Sequence, residues 1–234
     1  MSPKMTSLHP TAAAGLTSAS HPYAIFDAAV RHALIRDLHR LADVLDEPIT
    51  DVRRAALAQH IGYLLDQVQS HHRVQDEVIW PRVAIDRADL ADLADRVRLS
   101  HAELVTPGRE LRRASQSWTS VPALRPQVLE AATAMRDAIG PVLDEDAASV
   151  PVACDVLPDH DWTEISRRLG PAGGPTARAR RLFWLLDDAE PQLANLVLAR
   201  TPRAVLWVLR NGFSGGYNRV AYLMWVGGGT GPAV

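Results

Sequence analysis

Cysteine is almost missing: Cys154 stands alone among 234 residues. A single thiol excludes an intrachain disulfide framework and a thiolate-built zinc site, and it fits a reducing cytoplasm. Aromatic residues reach only 6%, and Thr, Ile, Tyr and Phe are scarce for a sheet protein. No alternating run is flanked by hairpin turn signals, so strands are not expected. No apolar stretch is long enough to span a bilayer, and residues 1–20 lack the apolar run of a signal peptide. Charge of one sign is missing too. With 25 basic and 27 acidic residues the net charge is -2, which argues against an electrostatic nucleic-acid binder. A cytoplasmic chain without an integral membrane segment is the expectation.

What the chain does have is helical periodicity. Ile25, Val30, Leu34, Leu38, Leu41 and Leu45 recur near helical spacing and predict a helix over 23–46. Thr50 is an N-cap for a second, over 52–79, ended near Pro81. A third runs over 88–118 with a kink expected at Pro107-Gly108. The fourth covers 124–148 and stops before Pro151. Short connections between amphipathic helices imply an all-α, antiparallel up-down four-helix bundle over 21–150. Residues 1–20 read as a disordered arm. Residues 151–234 read as a helical extension, with pieces at 162–169, 177–189, 192–200, 202–210 and 217–225. Trp184, Trp207, Phe213, Tyr217, Tyr222 and Trp225 gather there, so it is expected to pack on the bundle or on a second subunit as a homodimer.

Polar residues stand where a bundle interior is apolar, and they need a reason. The second and fourth helices carry nearly one pattern: His71-x-x-x-Gln75-Asp76 before Pro81, and Pro141-x-x-x-Glu145-Asp146 before Pro151. Positions four apart share a helix face, so a His and an acid at that spacing can address one metal ion. Each copy keeps half of such a pair. His32 in the first helix, Tyr63 and His71 in the second, His101 in the third and Glu145 in the fourth complete the candidate set. His72, Gln75 and Asp146 are further candidate ligands. His71 and His72 lie about 100° apart on their helix and compete for the core.

The stretches RHALIRDL, HHRVQDEVIWP, SHAEL and PVLDEDAASVP resemble the hemerythrin-like, or HHE cation-binding, family. The actinobacterial branch is similar also in its C-terminal extension (RRLFWLLDDA, TPRAVLWVLR). The resemblance implies a non-heme di-iron centre that handles oxygen, nitric oxide or peroxide, or senses iron. It also implies a His in the first helix, His-x-x-x-Glu in the second, a His in the third and His-x-x-x-Glu in the fourth. The chain departs at two of these positions, with Gln75 for a Glu and Pro141 for a His.

Three readings follow. In the first, His32, His71 and Glu145 form a two-His, one-carboxylate set for mononuclear non-heme iron, with His101 as fourth ligand or proton carrier, acting on oxygen, peroxide or a small organic substrate. In the second, no metal is bound. His101, Tyr63 and Glu145 then do acid–base catalysis in the bundle pocket, as in a lyase or cyclase. In the third, the aromatic extension makes a binding or regulatory contact and the chain is not an enzyme.

Overall fold

The computed structural model describes residues 15–17, 20–169, 174–201, 203, 206–207 and 214–226. Among these every regular element is a helix. Helix α1 is Pro22–Asp46, and α2 is Asp51–Val74. A π-helical turn, Gln75–Ile79, leads directly into α3, Trp80–Asp86. Then come α4 (Ala91–Ala102), α5 (Val105–Ser120) and α6 (Arg125–Val156). The later helices are α7 (Asp159–Leu169), α8 (Gly174–Leu186), α9 (Pro191–Ala199) and α10 (Ser214–Trp225).

The bundle is formed by α1, α2, the α4–α5 pair and α6. Helix α6 packs on α1 and on α5, and α5 packs on α2. Helices α8 and α9 lie against α1, and α10 lies against α2. The extension is therefore fastened to the bundle. Trp184 is fully buried and edge-on to Tyr63. Arg40 Nη1 donates to Asp187 Oδ2 at 2.7 Å, and Arg53 Nε to the Met224 carbonyl at 3.0 Å. Trp207 and Tyr222 remain exposed. Most of the expected arm, most of the 202–210 piece, and Phe213 and the Tyr217 side chain lie outside the described residues.

Four prolines act differently from expectation. The second helix does not end at Pro81 but continues to Asp86. The π-turn sits immediately before this proline, where an α-helical N–H bond would be missing in any case, and wider turns of this kind absorb the mismatch. The third helix breaks at Glu103–Leu104 rather than at Pro107-Gly108. Glu103 is the residue whose carbonyl the Pro107 ring would strike, and the break leaves Pro107 in the first turn of α5, where no N–H is needed. Helix α6 runs unbroken through both Pro141 and Pro151 to Val156, six residues past the expected bundle boundary. An interior proline costs about 3 kcal/mol. The buried face of Ile139, Val142, Leu143, Val150 and Ala153 offsets it, because burying one such side chain contributes about 1.5–3 kcal/mol.

The apolar interior is divided in two. One cluster holds Ala28 to Leu45 of α1, Leu57 to Val68 of α2 and Val128 to Leu143 of α6. The other holds Tyr23, Val74 to Val83, Val97 and Val150 to Ile165. The gap between them falls between 23 and 28 on α1, 68 and 74 on α2, and 143 and 150 on α6. That gap is filled by polar side chains.

Candidate metal centre

Asp27, His71, His72, Gln75, His101 and Asp146 occupy this layer. Asp27, His71, Gln75 and Asp146 are 0% exposed, and the other two 5%. Two groups within it have the geometry of a cation site. His72, His101 and Asp146 form one; Asp27, His71 and Asp146 form the other; in each, the ligand atoms lie within 4.8 Å of one another. Asp146 belongs to both, so its carboxylate lies between two adjacent positions.

The helices explain how neighbours in sequence serve both groups. His71 turns toward α1, where its Nε2 lies 3.0 Å from Asp27 Oδ1. His72, about 100° further round, turns toward α4 and α6. Its ring stacks on that of His101, with centroids 4.1 Å apart and planes 10° from parallel. The competition for the core expected of these two residues does not arise, because α2 is flanked by a different partner on each side. The π-turn that follows places Gln75 and Asp76 on the same layer. Gln75 lies against His71, and Asp76 Oδ1 lies 2.6 Å from His101 Nδ1.

The electrostatics are uneven. Burial disfavours the His101 cation, but Asp146 at Nε2 (3.0 Å) and Asp76 at Nδ1 overcome it and push its pKa up to about 9. Burial likewise would raise the Asp146 carboxyl, yet the hydrogen bond from His101 and the nearness of His72 hold it well below the usual range. His72 goes the other way: burial lowers it. Burial also raises the Tyr23 phenol, with Asp27 and Asp146 adding to the effect.

Among the described residues, several polar atoms in the layer have no hydrogen-bond partner. Asp146 Oδ2, His72 Nε2, His71 Nδ1 and the Tyr23 hydroxyl are buried and make no hydrogen bond, although the first two approach to 3.4 Å. Gln75 sharpens the point. Trp80 Nε1 can only donate, and it donates to Gln75 Oε1 at 3.3 Å, so the amide NH2 must face His71 Nε2 at 3.1 Å. That nitrogen then meets a donor on one side and the Asp27 carboxylate on the other, and it can satisfy only one. An unsatisfied buried polar group costs about 1–3 kcal/mol. A cation, unlike a proton, can take lone pairs from several such atoms at once. The donor set, imidazole and carboxylate without thiolate, suits iron, manganese or zinc.

Of the residues singled out from sequence, His71, His72, Gln75, His101 and Asp146 come together here. His32 does not: it lies on the outer side of α1, with Nε2 3.2 Å from the Asp188 carbonyl. Glu145 does not either; it faces Arg96, 2.9 Å away at the surface. Tyr63 sits two turns up α2 beside Trp184 and His60, with Arg180 4.0 Å over its ring and its phenol raised to about 12 by burial. Pro141 borders an outer groove with His39 and Asp137. The residue four before Asp146 on the buried face is Val142.

Sequence reasoning missed Asp27 and ranked Glu145 above Asp146, though helical phase carried the signal. Asp27 is in step with Val30, Leu34, Leu38 and Leu41, and Asp146 with Ile139, Val142, Val150 and Ala153, all buried. His32 and Glu145 are out of step with those stripes. The repeated pattern is thus offset by one residue. The matching pair is Asp76 and Asp146, and both hold His101.

Residues 30–140 match the family model described as the hemerythrin HHE cation binding domain. The matched stretch contains His71, His72, Gln75, Asp76 and His101. Asp27 and Asp146 flank it. Comparison with curated proteins and with solved structures returns no match.

Proposed function

We propose that this protein is a non-heme iron protein whose centre is built from Asp27, His71, His72, His101 and Asp146, with Asp146 shared between two metal positions. The observation that carries this reading is the set of buried donor atoms without partners around Asp146. It differs from the inherited pattern in its anions. Asp27 and Asp146 supply the negative charge, while Gln75 is neutral and Val142 has no ligand atom.

When bound, iron would supply redox chemistry toward oxygen or peroxide, or toward a small organic substrate. The chain's own residues define the surroundings. Asp76 fixes His101 through Nδ1, as a carboxylate behind a ligating imidazole does. Trp80 fixes the Gln75 amide against His71. The two apolar clusters above and below the layer keep water away and strengthen its electrostatic interactions. Tyr23 brings a buried hydroxyl to one edge of the layer. The metal-free acid–base reading has less support, since its proposed partners Tyr63 and Glu145 lie apart from His101.

Metal analysis after anaerobic loading with Fe(II) tests the proposal. About one to two equivalents per chain are expected, with Asp146→Ala losing most of the iron and Glu145→Gln keeping it. Loading should also raise the melting temperature by about 5–10 °C at a hundredfold excess over Kd, and not in Asp146→Ala. Less than about a tenth of an equivalent of any transition metal in the parent protein would overturn the reading.

A further inference from the structure

A second cavity, of about 270 Å³, opens between the start of α1 and helices α8 and α9. Its wall is mostly apolar, with Phe26, Leu182 and Val197 among its residues, and three arginines also line it: Arg178, Arg181 and Arg200. Among the described residues that line it, none is acidic. We infer that this cavity is a binding site for a small aliphatic carboxylate, its chain lying along the apolar wall and its anionic head among the arginines.

The placement of the arginines supports a ligand with a charged head and an apolar body. Arg181 is only 7% exposed, and its guanidinium lies 4.8 Å from the centre of the Phe26 ring. Burial disfavours its charge and lowers its pKa, with Tyr63 and Tyr23 acting the other way; a carboxylate bound beside it would add a charge-assisted partner. Arg178 and Arg200 are exposed and stand at the mouth, where they can attract an anion before it enters. Arg200 is positioned by its Nη2, which donates to the Ser20 carbonyl at 3.2 Å. The volume lies just below the range of about 300–1,000 Å³ usual for small-molecule sites. It has room for one medium-length aliphatic chain and not for a folded peptide. Among neutral, cationic and anionic amphiphiles, only the anion uses all three cations, one buried in the apolar wall and two at the mouth.

The cavity also touches the polar layer. The Phe26 ring is 6.2 Å from that of His71, so an occupant would press on the residue that backs the Asp27–His71 pair. The carboxylate site itself rests on the cavity alone and holds whether or not iron is bound.

The test is calorimetric titration of the full metal-free chain with decanoate and, separately, with decanol. Decanoate is expected to bind saturably and at least about tenfold more tightly than decanol. Arg178→Gln combined with Arg200→Gln should weaken decanoate by about tenfold and leave decanol unchanged, since both side chains are exposed and their loss should spare the fold. Leu182→Trp, which fills the cavity, should abolish binding of both. Equal affinity for acid and alcohol, absence of saturable binding at millimolar decanoate, or an unaffected double variant that retains the parent melting temperature would each overturn the proposal.

Discussion

The bundle contains two buried histidine–aspartate clusters, and they are resolved in opposite ways. His60 and His71 stand eleven residues apart on α2, close to three helical turns, and so on one face. His60 Nε2 lies 2.7 Å from Asp37 Oδ2, which also accepts from Trp184 Nε1 at 2.8 Å. Oδ1 of Asp37 accepts from Arg36 Nε at 2.8 Å. Both oxygens of this carboxylate are thus partnered, by a cation, an imidazole and an indole. Asp146 is as deeply buried, but only Oδ1 is bonded, and the imidazoles around it carry orphaned nitrogens. In one cluster the carboxylate is fully satisfied by protein groups, and it ties α1, α2 and α8 together. The other is complete only with something added. Residue types alone do not separate a structural His–Asp pair from a ligand set; whether both carboxylate oxygens are partnered does.

The contrast breaks most directly at Asp37. Asp37→Ala removes the nearest anion from Arg36 and leaves it the Trp184 and Asp187 carbonyls and the Asp187 carboxylate at 4.0 Å, so a loss of about 3 kcal/mol in unfolding free energy is expected, measured by denaturant titration. Iron uptake by the folded fraction should be unchanged, because none of the five proposed ligands touches Asp37. If Asp37→Ala lost iron and kept its stability, the roles of the two clusters would be reversed.

Acid offers a second, smaller handle on the same pair. Burial would raise the Asp37 carboxyl, but Arg36, then His60 and Trp184, hold it down at about 2, against an ordinary 3.8. A carboxyl depressed in the folded state stabilises the fold above its unfolded pKa, and that stability is lost as pH falls through the folded value. The gap corresponds to about 2 kcal/mol, fully present above about pH 5 and gone near pH 2. Comparing the parent with Asp37→Asn across that window, the stability difference should shrink as pH falls. A difference that stays constant from pH 5 to pH 2 would mean that the carboxylate charge is not what holds the cluster.

Much of this was legible in the chain. Apolar periodicity placed the first helix within one residue of its observed ends, and Thr50 does cap α2, accepting from Arg53 N at 3.3 Å. His71 and His101 were visible as candidate ligands inside the bundle, and His72 as a competitor of His71 for the core. What misled was motif spacing read without phase. Pro141 and Glu145 sit four apart and look like a damaged ligand pair, but the helix turns Val142 and Asp146 inward instead. Prolines misled as well: α6 absorbs Pro141 and Pro151 because its buried face outweighs two missing N–H bonds. The Asp27 contribution comes from a helix whose only conspicuous candidates were histidines. It emerges once position 27 is counted along the same stripe as Val30, Leu34 and Leu41.

The smallest change sharpens the comparison furthest. Gln75→Glu would put a carboxylate where an amide now faces His71, keeping an oxygen for Trp80 Nε1 to donate to. In the Asp37 cluster an added anion would have no vacancy to fill. In the Asp146 layer it would replace a misplaced donor with a third anionic ligand group beside Asp27 and Asp146. Iron affinity should rise by about tenfold, within the range by which single ligand-sphere changes alter metal binding. The metal-free protein should lose about 1–3 kcal/mol, because the new charge is buried without a cation beside it. The two effects have opposite signs and one cause, so a stability deficit that iron repairs is the expected pattern in paired thermal melts with and without Fe(II). A deficit that iron leaves untouched would show that position 75 lies outside the reach of the metal, and that the amide is there only to hold His71 against Trp80.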